Sequence, residues 1–271
     1  MRADRPTPRL NSDGLLEVVT APTPDLRATL AAFRAGLQAE LSGNLVAVYI
    51  SGSLVMGDFE PASSDVDFLV VTREPVQRGA AQRVAALHHR LARAHRWGSR
   101  LEGGYAAQTR LRPWGIEGPI VAVEPGEGVR TEVPSGYSAD NMLAIRDYSL
   151  TLYGPAPGLV LPPVDRLTLE TALRDYLAAL LARPAAAEPS PTELASWDLN
   201  IARCLYGLRV GRPCTKREAA SWLAREAREL GSAARQRGAL NSSQLAHRLR
   251  CAAGTISSAS NHVHASTLNG G

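Results

Sequence analysis

The sequence predicts a mixed sheet with flanking helices in its first half and an all-α helical bundle in its second. Two apolar runs of strand length, LVAVYI (45–50) and VDFLVV (66–71), stand between segments whose apolar residues recur at helical spacing. From Ala139 onward the spacing is helical only, and a Pro/Ala-rich stretch, ARPAAAEPSPTE (182–193), separates two of those helices. No segment repeats another. A succession of mixed elements followed by helices alone argues for two regions of different architecture.

Taken in order, residues 1–22 are rich in Pro, Arg and Asp and read as an irregular lead-in. Thr23-Pro24-Asp25 supplies an N-cap, a proline for the first turn and an acid for the helix dipole. Leu26, Leu30, Phe33, Leu37 and Leu41 follow at spacings of four and three, giving an amphipathic helix that Gly43 is expected to end. The strands 45–50 and 66–71 enclose a loop rich in Gly, Ser and Asp. A helix over 77–95 follows, then strand candidates at 100–111 and 119–124, while the GGYAA glycines and EPGEGVRTEVPSG (124–136) read as loops. Helical spacing recurs over 139–150, 167–183, 194–210, 215–230 and 239–256. Trp97, Trp197 and Trp222 fall on apolar helix faces and are expected in the core, as is Cys204 inside its helix. His88-His89, His262 and His264 have no acid at metal-ligand spacing and are expected at the surface or in the tail.

At 271 residues the chain suits one large domain or two ordinary ones, and 45% hydrophobic with 21% charged residues is the balance of a soluble globular protein. A net charge of +4 and a pI near 9.2 are mildly basic. The arginines are spread out, with no stripe of interleaved aromatics and cations, so nucleic acid is not expected as a partner. An anionic small molecule such as a nucleotide suits them. Cys204, Cys214 and Cys251 form no CxxC pair and have no histidine at zinc spacing, which excludes a disulfide framework and a zinc site as expectations. The first residues hold no apolar signal-peptide core and no apolar run has membrane-spanning length, so a cytoplasmic, monomeric protein is expected.

The chemistry concentrates in VYISGSLVMGDFEPASSDVDFLVV (48–71). Gly52 permits a tight turn and close backbone approach, and Ser53 stands where a short helix begins, with its hydroxyl and the nearby N–H groups available to a phosphate. Eleven residues separate Ser53 from Asp65-Val66-Asp67. On a strand, residues i and i+2 point the same way, so both carboxylates project together while Val66 enters the core. Two such carboxylates repel unless a cation lies between them. Magnesium, a hard ion that takes carboxylate and phosphate oxygens, would bridge them to a nucleoside triphosphate. This is a layout for phosphoryl or nucleotidyl transfer. A plain strand-turn-strand explains a lone G-S or a lone D-x-D; the combination between two apolar strands is harder to obtain by chance.

SGSLVMGDFEPASSDVDFLVV resembles the signature of the DNA polymerase β-like nucleotidyltransferase superfamily. With SLTLYGPAP (149–157) and RCLYGLRVGRPCTKREAASW (203–222), the chain over about 25–230 resembles the streptomycin/spectinomycin 3''-adenylyltransferase type of aminoglycoside nucleotidyltransferases. The resemblance implies an N-terminal nucleotidyltransferase domain over 23–135, a helical domain over 136–262 that completes the ATP and acceptor site, and a tail over 263–271. It implies transfer of AMP from ATP to a hydroxyl of an aminoglycoside or aminocyclitol, with release of pyrophosphate and resistance to the antibiotic. Asp65 and Asp67 would hold magnesium, Gly52 and Ser53 the phosphates, and a third acid on a following strand would be the general base. Glu102, in SRLEGGY, is the acid in that place. Arg203 and Lys216, thirteen residues apart, match the cations that hold the triphosphate.

The acceptor half matches less closely. Ungapped alignment from Arg203 puts Pro184 and Pro189 where the family has a tryptophan and an acid, while Glu193 matches a second acid and Asp198 lies one turn further on. The family's other tryptophan, on the N-terminal half, has no clear counterpart; Tyr137 and Trp114 are the candidates for its place. ATP and a cationic small molecule are thus the implied partners. The same chemistry on another acceptor, a protein or a different small molecule, is the nearest rival, and a non-catalytic nucleotide sensor is another. Intact Asp65, Asp67 and Glu102 speak against the sensor, because a decayed site would be expected to lose an acid.

Overall fold

The computed structural model describes residues 23–182 and 191–237, the side chains of 181–182, 191–196 and 227–237 excepted. The lead-in 1–22, Pro184 and Pro189, the expected helix 239–256, Cys251, His262, His264 and the tail lie outside the described residues.

Helix α1 (Pro24–Leu41) buries Leu26, Leu30, Phe33, Leu37 and Leu41, the stripe that its spacing predicts. It ends two residues before Gly43, at Leu41; Ser42, the cap, takes φ +26° and its N–H donates to the Gln38 carbonyl. Strand β1 (Leu45–Ile50), the four-residue helix α2 (Ser53–Met56), β2 (Val66–Thr72), α3 (Arg78–Ala94) and β3 (Leu101–Ala107) follow. Then come β4 (Leu111–Arg112), β5 (Gly115–Ile116), β6 (Pro119–Glu124), β7 (Gly128–Pro134), α4 (Ala139–Tyr148), β8 (Leu150–Tyr153) and α5 (Pro157–Val160). The six-stranded sheet runs β7-β6-β3-β2-β1-β8, parallel between β2 and β3 and antiparallel elsewhere.

Alternation along the strands divides the core in two. Val48, Ile50, Val66, Phe68, Val70, Leu101 and Tyr105 pack with α1 and α3 on one face. Ala47, Tyr49, Leu69, Val71 and Ala106 pack with Met142 and Ile145 of α4 and with Leu111 and Ile116 on the other. The two apolar faces fix the register, because a one-residue slip would turn every side chain over.

Two strands differ from the sequence reading. EPGEGVRTEVPSG, read as a loop, contains β7, an edge strand with little buried surface and hence no alternation to detect. The region read as helices only contains β8, four residues that pair with β1. The described chain divides between Thr168 and Leu169, later than the 135/136 boundary read from the sequence, and α4 and β8 share the cores of the first unit.

The helices α6 (Arg166–Ala182), α7 (Pro191–Val210) and α8 (Lys216–Arg237) make up the second unit from Leu169 on. There Ala202, Cys204, Tyr206, Cys214, Ala219 and Leu223 are buried, and Trp222 packs edge-on to Tyr206. Gly207 lets α7 meet Leu173 of α6, since a Cβ there would stand 2.6 Å from the Leu173 side chain. No helix among the described residues is long and apolar enough to cross a membrane.

Trp97 is buried as expected, although it lies in a turn after α3 and packs against Phe59. His88, expected at the surface, is only 6% exposed. It falls between Val84 and Leu91 on the buried stripe of α3, stacked on Phe68, with Nε2 2.7 Å from the Tyr105 hydroxyl. Burial lowers its pKa to about 4, so the ring is neutral at physiological pH. Tyr105→Phe strips the buried ring of this hydrogen bond. The expected result is a loss of about 1–3 kcal/mol of stability, read as a lower urea midpoint with unchanged slope.

Candidate active site

Strand β1 leaves the sheet at Ile50, and the Ser51 N–H still donates to the Asp67 carbonyl at 2.9 Å. Gly52 then turns the chain with φ +69°. A Cβ on Gly52 would lie 1.7 Å from Asp67 Oδ2, so the Asp67 carboxylate rests directly against this residue and only glycine fits. Ser53 opens α2, and Gly57 in the left-handed conformation closes it. The turn and the carboxylate are therefore one packed unit.

Asp65 stands immediately before β2 and Asp67 within it, with Val66 between them fully buried. The β2–β3 register pairs Asp67 with Glu102 and Val66 with Leu101. Asp65, Asp67 and Glu102, all half-buried, thus come together at the starts of two parallel strands. The electrostatics register this crowding. Glu102 is pushed up to about 7 by burial first, then by the charges of Asp67, Asp65 and Glu124, and by a hydrogen bond with Asp65. A carboxyl near pH 7 is matched to taking and returning a proton under physiological conditions.

Two neighbours escaped the sequence reading. Arg100 Nε lies 3.7 Å from Asp65 Oδ1, while its Nη1 donates to the Pro61 carbonyl at 2.9 Å and its guanidinium sits 5.4 Å from the Trp97 ring centre. It ties the 58–65 loop to the start of β3. Glu124, at the end of β6, joins the acids from the next strand; alternation within 119–124 gives its direction, but nothing local gives its partner strand. Tyr137 lies with its ring against Gly104 and donates its hydroxyl to the Phe68 carbonyl at 3.0 Å. Burial first, and then the Asp67 and Glu102 charges, push that phenol above its ordinary range. The alternative, Trp114, is 56% exposed at the β4–β5 turn, and the Gly115–Ser138 bridge ties that turn beside Tyr137.

In the second unit, Arg203 is half-buried on α7 and Lys216 is the exposed first residue of α8. The Thr215 hydroxyl accepts from the Glu218 N–H at 3.0 Å, the cap expected from TKREA. Glu218 also accepts from the Tyr206 hydroxyl at 2.8 Å and from Arg212 at 2.6 Å, which fixes the turn that carries Lys216. Residues 191–210 are helical throughout, so Glu193 and Asp198 stand about 140° apart around the axis and do not share a face. Of Glu193 only the helical backbone is described; Asp198 is half-buried.

The donor set fits magnesium. It offers hard carboxylate oxygens only, and burial first and then the neighbouring acids raise the Glu102 pKa. Among the described residues no group of three or more His, Cys, Asp and Glu is arranged to hold a metal on protein ligands alone. Two carboxylates with oxygens from a triphosphate make up the shell that magnesium commonly takes.

The crowding has a cost that pH reveals. The unfolded Glu102 carboxyl ionises near its ordinary 4.5 and the folded one near 7, so the folded state is penalised as pH rises through that window and fully above it. Glu102→Gln removes the penalty. Thermal unfolding without metal should show the variant more stable by about 1–2 kcal/mol at pH 8, a figure reduced for solvent screening, and equal to wild type at pH 4. Equal stability at both pH values would remove the electrostatic reading of the cluster.

Residues 32–110, from α1 to the end of the 3₁₀ turn after β3, match the sequence profile of the nucleotidyltransferase domain family. No curated protein matches the chain. Among solved structures the chain is similar to a spectinomycin adenyltransferase, AAD(9), from Enterococcus faecialis, determined with ATP and spectinomycin. The TM-score is 0.57 at 17% identity, over 84% of this chain and 89% of that one. At that identity the likeness is one of fold. Residues 32–110 carry a nucleotidyltransferase domain, set in a mixed α/β nucleotidyltransferase-like fold.

Proposed function

We propose that the protein is a magnesium- and ATP-dependent adenylyltransferase that moves AMP to a hydroxyl of an aminoglycoside or aminocyclitol, releases pyrophosphate, and so confers resistance. The observation that carries this reading is the register that sets Glu102 beside Asp67 on parallel strands, with Asp65 hydrogen-bonded to Glu102 and Gly52 packed against Asp67.

The roles follow from the chemistry. Asp65 and Asp67 hold magnesium, which when bound offsets the triphosphate charge and polarises the α-phosphate. Ser53 and the N–H groups at the start of α2 meet the phosphates, and Arg203 and Lys216 bind the triphosphate as the family resemblance implies. Glu102 takes the proton of the acceptor hydroxyl. The hydroxyl oxygen then bonds to the α-phosphorus as the bond from that phosphorus to the bridging oxygen breaks, and pyrophosphate leaves with the electron pair. Glu193, more than Asp198, and the Tyr137 ring receive the cationic acceptor. The similar structure that contains ATP and spectinomycin supports the choice of partners. A nucleotide sensor without turnover has no use for a carboxyl held near pH 7 beside two others.

The test is transfer of labelled AMP from ATP with magnesium to streptomycin, spectinomycin and a panel of other hydroxyl acceptors. Asp65→Asn and Asp67→Asn should each abolish transfer while leaving the fold intact. Glu102→Gln should retain ATP affinity and lose about two to four orders of magnitude in turnover. Glu193→Gln should raise the acceptor KM about tenfold or more without changing the ATP KM. Wild-type turnover in either aspartate variant would overturn the metal assignment. Failure of both antibiotics to bind, with or without ATP and magnesium, would overturn the acceptor assignment alone.

A further inference from the structure

β3 and β6 run antiparallel with Gly103 opposite Val123 and Gly104 opposite Ala122. Continuing that register by one residue would set Glu102 opposite Glu124, whose charge acts on Glu102. Both side chains project on the face that carries Asp67. Like charges directly opposed on adjacent strands destabilise a sheet unless something offsets them. Here the offset comes from the next strand. Arg130 on β7 lies opposite Ala122, hence on the same face, and its guanidinium bonds the Glu124 carboxylate while lying 3.3 Å from Glu127. The Arg130 side chain is 44% exposed and that of Glu124 38%, so this pair is wet and readily exchanged.

We propose that Glu124 receives a cationic substituent of the acceptor, a guanidinium or an ammonium, and that Arg130 holds that place as an internal stand-in until the acceptor displaces it. The inference rests on Glu102 as the base. An acceptor hydroxyl within hydrogen-bond reach of Glu102 brings the rest of its ring onto this face of the sheet. Residues directly opposed across antiparallel strands have Cβ atoms about 4.5–5.5 Å apart, so a charged group one or two bonds from that hydroxyl meets Glu124. The guanidinium already bonded to Glu124 has the chemistry of the proposed ligand. Displaced, Arg130 retains Glu127, three residues away along the chain, as its partner. The arrangement favours acceptors with a cation beside the reacting hydroxyl over neutral sugars.

The experiment compares steady-state AMP transfer and calorimetric acceptor binding for wild type, Glu124→Gln and Arg130→Gln, using streptomycin, spectinomycin and a neutral polyol. Glu124→Gln should raise the KM and Kd of the cationic acceptor about tenfold with the ATP KM unchanged. Arg130→Gln, although it removes a positive charge from the protein, should lower both about two- to fivefold, the range of an exposed ion pair. An unchanged or raised KM in Arg130→Gln overturns the stand-in, and an unchanged KM in Glu124→Gln overturns the cation site. If the wild type transfers AMP to neutral acceptors only, the cationic-acceptor reading fails and this inference falls with it. If the wild type uses the cationic acceptors and the two variants do not shift in opposite directions, this inference alone fails.

Discussion

The parallel pairing of β2 with β3 places Asp67 beside Glu102, and the rest of the first unit serves to hold that repulsive contact in place. Left to themselves, three carboxyl groups at the starts of two adjacent strands would separate. They do not, because Val66 and Leu101, their neighbours along the chain, are locked in the opposite core and alternation leaves the acids no other direction. Gly52 completes the constraint from the third side, since its missing side chain is the space that the Asp67 carboxylate occupies. A proton on Glu102 relieves the crowding at low pH, and under the proposed function a magnesium ion would do the same. Burial energy from two apolar faces is thus used to keep charges where they are reactive rather than where they are stable.

How much of this is legible in the sequence depends on whether a feature is local. The α1 stripe, the strands 45–50 and 66–71, the cap at Thr215 and the common direction of Asp65 and Asp67 follow from spacing alone. Glu102 follows from the family resemblance and its place on a following strand; that it faces Asp67 is a matter of register between strands more than thirty residues apart, on which local pattern is silent. β7 escaped because an edge strand exposed along both sides shows no alternation, and β8 because four residues carry too little pattern. His88 escaped because a histidine is scored as polar, although Val84 and Leu91 put its position on the buried stripe. Arg100 and Glu124 carry no motif at all; they matter through what the fold sets beside them.

The two units contribute differently to the account. In the first, acids, turn and sheet are bound into one arrangement by pairing and packing. In the second, Tyr206, Arg212 and Glu218 fix the turn before Lys216, and the regular helix of α7 separates Glu193 from Asp198.

The central claim, that burial and then the neighbouring like charges hold the Glu102 carboxyl up until a cation joins them, is tested most directly by following the Glu102 carboxyl itself. A carbon-13 side-chain titration, with Glu102→Gln used to assign the resonance, should show a midpoint near 7 without metal and a fall toward the ordinary 4.5 when magnesium is added to saturation. A midpoint near 4.5 in both conditions would contradict the account.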